Sequence, residues 1–160
     1  MKSKKINLTI TGCLGKMGQQ LIESASKNKR FIIKGLTESK IQKKKIKGIL
    51  PKLNNAEAFK DSDIIIDFTI PKCTLEVLKI AAKNKKRVVI GTTGFSKKEE
   101  NFIKKISKKI PILKAGNMSL GINLLMYLTE IASKSLGNNF LSKVFEIHHK
   151  LKKDYPSGTA

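Results

Sequence analysis

The sequence has no tryptophan, two cysteines, two histidines and, against 33 lysines and arginines together, only 12 acidic residues. Each scarcity narrows what the chain can be. Cys13 and Cys73 lie far apart and share no C-x-x-C spacing. That argues against a disulfide framework and against a zinc site, and it fits a reducing compartment. No metal ligand set is expected. No apolar run reaches transmembrane length. The start, Met1-Lys2-Ser3-Lys4-Lys5, leads straight into an alternating pattern, without the apolar stretch or small-residue cleavage site of a signal peptide. A soluble, cytoplasmic protein with no membrane partner is expected. No internal repeat is visible.

The shortage of acids leaves a net charge of +21, which invites a nucleic-acid reading. A second shortage counters it: Arg30 and Arg87 are the only arginines. Proteins that grip phosphates or read bases favour the bidentate guanidinium fork. The lysines here are spread along the chain and no aromatic residues interleave with them. The charge reads as surface bias that favours anionic ligands, with no nucleic-acid partner expected.

What is present is an alternation of strand and helix patterns. Ile6 to Thr11, Phe31 to Thr37, Asp63 to Phe68, Arg87 to Ile90 and Pro111 to Lys114 read as strands, the central ones as buried parallel strands. Helical spacing follows Gly18 through about Ser26, with Met17, Leu21 and Ile22 apolar. It recurs over Cys73 to Ala82, over a stretch from Ser96 to Lys109, and over Leu120 to Leu136. Ser96 is expected to cap its helix, with Phe102, Ile103 and Ile106 facing inward. The stripe Leu124, Leu125, Leu128, Ile131 and Ala132 reads as core. Residues 40 to 60 read as a surface excursion with a short helix or strand near Ala56 to Phe59. Val144 to Ile147 reads as a further strand. The expected class is α/β, a Rossmann-like parallel sheet flanked by helices.

In such sheets ligands bind beyond the carboxyl ends of strands. Gly12-Cys13-Leu14-Gly15-Lys16-Met17-Gly18 follows the first strand and opens a helix, as a dinucleotide's pyrophosphate site requires. Gly12 would permit the tight turn, Gly15 the approach of pyrophosphate, and Gly18 close helix packing. The spacing is G-x-x-G-x-x-G rather than the commoner G-x-G-x-x-G, and such triplets also occur in plain turns. Glu38 follows the second strand where a ribose-binding acid would stand; it also reads as a solvated loop residue. Gly91 to Gly94 and Ala115 to Ser119 end two further strands. Both histidines, His148 and His149, sit together near Pro156-Ser157-Gly158-Thr159, which reads as a helix opening able to hold a carboxylate. His148 could serve as an acid or base and Lys152 as a fixed positive charge. The plainer reading is a strand end with solvated lysines.

These motifs together resemble the 4-hydroxy-tetrahydrodipicolinate reductase (dihydrodipicolinate reductase) family of lysine and diaminopimelate synthesis. The resemblance rests on Gly12-x-x-Gly15-Lys16-Met17-Gly18, Ile66-Asp67-Phe68-Thr69 with Pro71, Ile90-Gly91-Thr92-Thr93-Gly94-Phe95 and Asn117-x-Ser119-x-Gly121-x-Asn123. Above all it rests on Glu146-x-His148-His149-x-x-Lys152-x-Asp154-x-Pro156-Ser157-Gly158-Thr159-Ala160.

The resemblance implies NADH or NADPH as cofactor and a cyclic imine dicarboxylate as substrate. Gly12, Cys13, Leu14, Gly15, Lys16 and Met17 would hold the pyrophosphate, and Glu38 the ribose. Gly91, Thr92 and Thr93, with Ala115, Gly116, Asn117 and Met118, would line the nicotinamide side. His148 would be the acid/base and Lys152 its cationic partner; His149, Gly158 and Thr159 would bind substrate carboxylates. Residues 1–118 would form the dinucleotide-binding domain. Residues 119–160 would form a hinge helix and the start of a substrate-binding domain, of which only the first strand is present. Ser39 stands where many members carry Arg, so both cofactors stay open. Family members are homotetramers and continue well past Ala160. The chain alone is therefore expected to turn over poorly, and the alternative is an inactive nucleotide-binding remnant.

If the +21 is surface bias, binding to duplex DNA is weak, without sequence preference, and lost steeply with salt. A salt-resistant, sequence-specific complex in a gel-shift assay contradicts this.

Overall fold

The computed structural model describes residues 4–148 and 150. The chain divides into two units, residues 1–114 and 115–160. The first holds five strands: β1 (Ile6–Thr11), β2 (Phe31–Thr37), β3 (Ile64–Asp67), β4 (Arg87–Ile90) and β5 (Ile112–Lys114). Its helices are α1 (Lys16–Lys27), α2 (Ala56–Phe59), α3 (Pro71–Lys83) and α4 (Lys97–Ser107). All strand pairs are parallel, in the order β2-β1-β3-β4-β5. The expected Rossmann-like sheet flanked by helices is what forms.

Local signals place the helices. Proline opens α3, where its missing N–H is no loss. Ser96 caps α4 in a reciprocal box with Glu99, and the hydrogen bonds from Ser96 hold the Glu99 carboxyl below its usual pKa. Ile103 and Ile106 are buried and Phe102 packs beside them. The short element at 56–59 is a helix, capped by the Asn55 side chain.

Two apolar clusters form the core. One joins Ile10, Cys13, Ile22 and Leu36 beneath α1. The other joins Phe59, Ile65, Val77, Leu78, Val88, Ile90, Ile103 and Ile106 beneath α3 and α4. Met17, expected among the apolar positions of α1, is 47% exposed. It stands in the first turn; the helix buries Gly18, Ile22 and Ala25 instead. The excursion at 40–60 is tied to the sheet by a bridge from Thr37 to Lys52 and by the Thr37 hydroxyl's bond to Asn54 Oδ1, and it sends Phe59 into the core.

The second unit holds α5 (Leu120–Leu136) and a short 3-10 turn (Gly137–Asn139). Two expectations fail here. The leucine stripe of α5 is not core: the helix buries none of its residues, and Leu125 is 58% exposed. Apolar spacing reports that a helix needs a partner face, not where that face is; none covers it among the described residues. Val144 to Ile147 is not a strand. A strand exists only through a neighbour's hydrogen-bond ladder, and among the described residues this segment has none. Ile147 is 97% exposed.

The tightest constraint in the first unit is α1 against the turn after β1. A Cβ added to Gly18 would lie 2.2 Å from the Gly12 carbonyl oxygen and 2.8 Å from Cys13 Cα. Both are backbone and cannot rotate away. Gly18→Ala is therefore expected to destabilise the fold by about 1–3 kcal/mol, read as a lower midpoint in urea unfolding. An unchanged midpoint contradicts this packing.

Candidate functional site

Strand order reverses between β1 and β3, so the loops after these strands part and leave a crevice at the carboxyl edge. A groove of about 490 Å³ lies there. Gly12, Leu14 and Gly15 line it from the loop after β1, Thr37, Glu38 and Ser39 from the end of β2, and Phe68, Thr69 and Ile70 from the loop after β3. Asn54 and Cys73 complete the wall.

Gly12 has φ +61°, and a Cβ there would meet the Thr69 methyl at 2.6 Å, so both turn and contact require glycine. Gly15 caps α1 without a side-chain bond, and no acidic residue stands in the first turn. The first N–H groups of a helix find no carbonyl within it. Those of Lys16 and Met17, with the positive helix end, therefore suit an anion.

The loop amides before the helix are engaged. Cys13 N–H donates to the Thr37 carbonyl at 3.1 Å, and Gly15 N–H to the Gly12 carbonyl at 3.0 Å. Leu14 N–H donates to Glu38 Oε1 at 2.9 Å, while Ser39 N–H donates to Glu38 Oε2 at 3.0 Å. Glu38 thus stands in the groove with its carboxylate fixed against the glycine loop. The Cys13 side chain is buried in the core, not directed at a ligand; burial, with the Glu38 charge adding, pushes its thiol up to about 11. Burial raises the Cys73 thiol too.

Gly91 follows β4 with no room for a side chain: a Cβ would lie 2.0 Å from the Phe68 ring. Thr92 is buried, and its hydroxyl accepts from Thr69 N–H at 2.9 Å. Thr93 is exposed. Ala115, Gly116, Asn117 and Met118 belong to the second unit. There Asn117 Oδ1 accepts from Ser119 N–H at 2.8 Å. A second groove of about 660 Å³ lies within that unit, lined by Asn117, Ile122, Leu125 and Thr129 and by residues 144–148. His148 stands in it, with Nε2 2.9 Å from Glu146 Oε2. His149, Lys152, Gly158 and Thr159 lie outside the described residues.

Sequence reasoning missed Asn54, Cys73 and Thr69 as groove residues. Asn54 sits in a lysine-rich, weakly patterned stretch that offered no signal. Thr69 stood in a motif but carried no role. Asp67, read as part of a buried strand and of a family motif but given no role, proves to be a fully buried carboxylate whose Oδ1 accepts from the groove residue Thr69.

A strand, a glycine turn and a helix at the edge of a parallel sheet define the Rossmann-like class. The family described as "Dihydrodipicolinate reductase, N-terminus" matches residues 6–118, and "Dihydrodipicolinate reductase, C-terminus" matches residues 121–160. The chain belongs to the dihydrodipicolinate reductase family. It is 69% identical over 157 residues to the 4-hydroxy-tetrahydrodipicolinate reductase of Pelagibacter ubique, covering 98% of this chain and 61% of that one. The enzyme of the same name from Wolbachia pipientis is 39% identical over 98% of this chain and 63% of the relative. A solved dihydrodipicolinate reductase from Paenisporosarcina superposes with a TM-score of 0.73 at 25% identity, covering 97% of this chain and 62% of that chain. The chain thus spans somewhat under two thirds of the relatives' length. Both halves of the family pattern match, so the inactive-remnant alternative is not favoured.

The Cys13 thiol, raised from 9.0 to about 11, stabilises the fold fully below pH 9.0, and that contribution is lost as pH rises through the folded value. Iodoacetamide at about pH 8 should therefore leave Cys13 unmodified in the folded chain and label both cysteines in denaturant. Mass spectrometry reads this, and rapid labelling of native Cys13 contradicts it.

Proposed function

We propose that this chain is the nucleotide-binding part, with the acid/base segment, of an NADH- or NADPH-dependent 4-hydroxy-tetrahydrodipicolinate reductase. The observation that carries it is the groove that joins the glycine turn, the open N-terminus of α1 and Glu38 at the switch point of the sheet. The residues present suit a dinucleotide. Lys16 and Met17 N–H groups would receive the pyrophosphate. Glu38 would exchange its bond to Leu14 for the ribose hydroxyls. Gly91, Thr92 and Thr93, with Ala115, Gly116, Asn117 and Met118, would border the nicotinamide. The cofactor, when bound, supplies a hydride to the cyclic imine of the substrate. The protein supplies position, charge and a proton. Glu146 would orient the His148 ring, and His148 would donate a proton to the reduced substrate. Lys152 would add positive charge; His149, Gly158 and Thr159 would hold the substrate's carboxylates. The Paenisporosarcina relative is described as binding dipicolinate, a planar dicarboxylate of this kind.

Residues 1–118 are assigned to the nucleotide and 119–160 to the hinge helix and substrate side. Cytoplasmic location, homotetramer assembly of the complete enzyme and the lack of a nucleic-acid partner belong to the same proposal. Among the described residues, no helix is long and apolar enough to cross a membrane.

Isothermal titration tests the cofactor part. NADH and NADPH should both bind, with similar affinity, because Ser39 and Lys40 do not discriminate. Gly15→Val should abolish binding by filling the pyrophosphate space. Failure of both cofactors to bind at millimolar concentration refutes the proposal. In a chimera completed with the C-terminal region of the Pelagibacter relative, His148→Gln should lower kcat on the order of a hundredfold, followed by cofactor absorbance. Unchanged turnover removes His148 from the mechanism.

A further inference from the structure

Asp67 ends β3, is fully buried, and has no ion-pair partner among the described residues. Four threonine hydroxyls surround it. Oδ1 accepts from Thr11 Oγ1 at 2.5 Å and from Thr69 Oγ1 at 2.7 Å. Oδ2 accepts from Thr74 Oγ1 and, at 3.3 Å, from Thr92 Oγ1. A carboxylate offers about four lone-pair positions, so its capacity is filled by hydroxyls alone.

The plain reading of such a hub is that it holds the fold together. Its partners point further. Thr11 is the residue before Gly12, whose turn lines the groove. Thr69 lines the groove itself and packs its methyl on Gly12. Thr92 belongs to the turn after β4 and also takes the Thr69 N–H. One carboxylate therefore ties the loops after β1, β3 and β4 to each other at the edge where the ligand is proposed to lie. Only Thr74, on α3, serves it from a helix.

We infer that Asp67 is a positioning residue for the dinucleotide site: its buried carboxylate holds the glycine turn, Thr69 and Thr92 in mutual register and thereby sets cofactor affinity. The inference rests on the dinucleotide reading above. Asp67 acts through its neighbours, being buried out of a ligand's reach. Replacing it by Asn keeps the shape but exchanges two acceptor sites for donors, so two hydroxyls must turn away. The loops then lose their shared anchor while the core beneath them stays intact.

The test is the dissociation constant of NADH and of NADPH for the 160-residue chain and its variants, each shown to be folded by circular dichroism. Asp67→Asn should weaken binding on the order of tenfold. Thr11 is itself buried, so its hydroxyl acts on affinity through its partners, Asp67 Oδ1 at 2.5 Å and, more distantly, the Ile66 carbonyl at 3.3 Å. Thr11→Val should weaken binding several-fold, and Thr11→Ser, which keeps the hydroxyl, should restore it. The double variant Thr11→Val with Asp67→Asn should bind no worse than Asp67→Asn alone. Thr9 serves as a control for stability: its buried hydroxyl bonds Ser62 and the Ala58 carbonyl, outside this network. Thr9→Val should lower the melting temperature and leave both dissociation constants unchanged. Variants at Thr11 and Asp67 that melt earlier but bind as tightly as the unmutated chain overturn the inference and leave the dinucleotide reading standing. If Asp67→Asn does not fold, the Thr11→Val and Thr11→Ser pair decides by the same criterion. If the unmutated chain binds neither cofactor, the dinucleotide reading falls and this inference with it.

Discussion

The carboxyl edge of the sheet depends on the burial of a single acid. An isolated carboxylate moved from water into a protein interior costs several kcal/mol unless its lone pairs are met. Asp67 is fully buried, so the chain must bring hydroxyls to it, and it brings them from β1, from α3 and from the loops after β3 and β4. The turn after β1 and the loop after β3 also line the groove. Satisfying the acid and shaping the edge are one structural act. The dependence is local: the apolar clusters beneath α1 and beneath α3 and α4 do not include Asp67.

The glycines work against this edge from the other side. Gly18 lets α1 close on the turn after β1, and Gly91 accepts the Phe68 ring. Both are packing requirements. Glu38 is different in kind. Its carboxylate is exposed enough to take a ligand, yet it rests on two backbone amides, which fixes its position at little cost in side-chain freedom. The groove thus has a preset acceptor at Glu38 and, beside Gly15, a helix terminus with no acidic residue in its first turn.

The two units differ in how far their own residues complete them. The first buries large side chains beneath its helices. The second presents an apolar helix with no buried residue, and Val144, Phe145 and Ile147 beyond it are largely exposed. Apolar side chains contribute roughly 25 cal/mol per Å² only when area is removed from water. In the second unit that area is largely still exposed. His148 meets Glu146 there through a contact two residues away in sequence, which local chain geometry alone can supply.

Some of this protein was legible from the sequence. The strands of the first unit, its capping box at Ser96 and the turn at Gly12 follow from near-neighbour chemistry, because alternation, caps and tight turns are decided within a few residues. The family was legible for the same reason: its motifs are short and contiguous. Three things were decided by tertiary structure. Asp67 looked like the end of a buried strand because its four partners are spread from Thr11 to Thr92. Asn54 and Cys73 entered the groove wall because folding brings a featureless excursion against α3. The apolar stripe of α5 and the Val144 to Ile147 run were read as buried helix and strand. Apolar spacing fixes which face wants a partner, whereas burial and strand pairing exist only when another segment arrives to supply them.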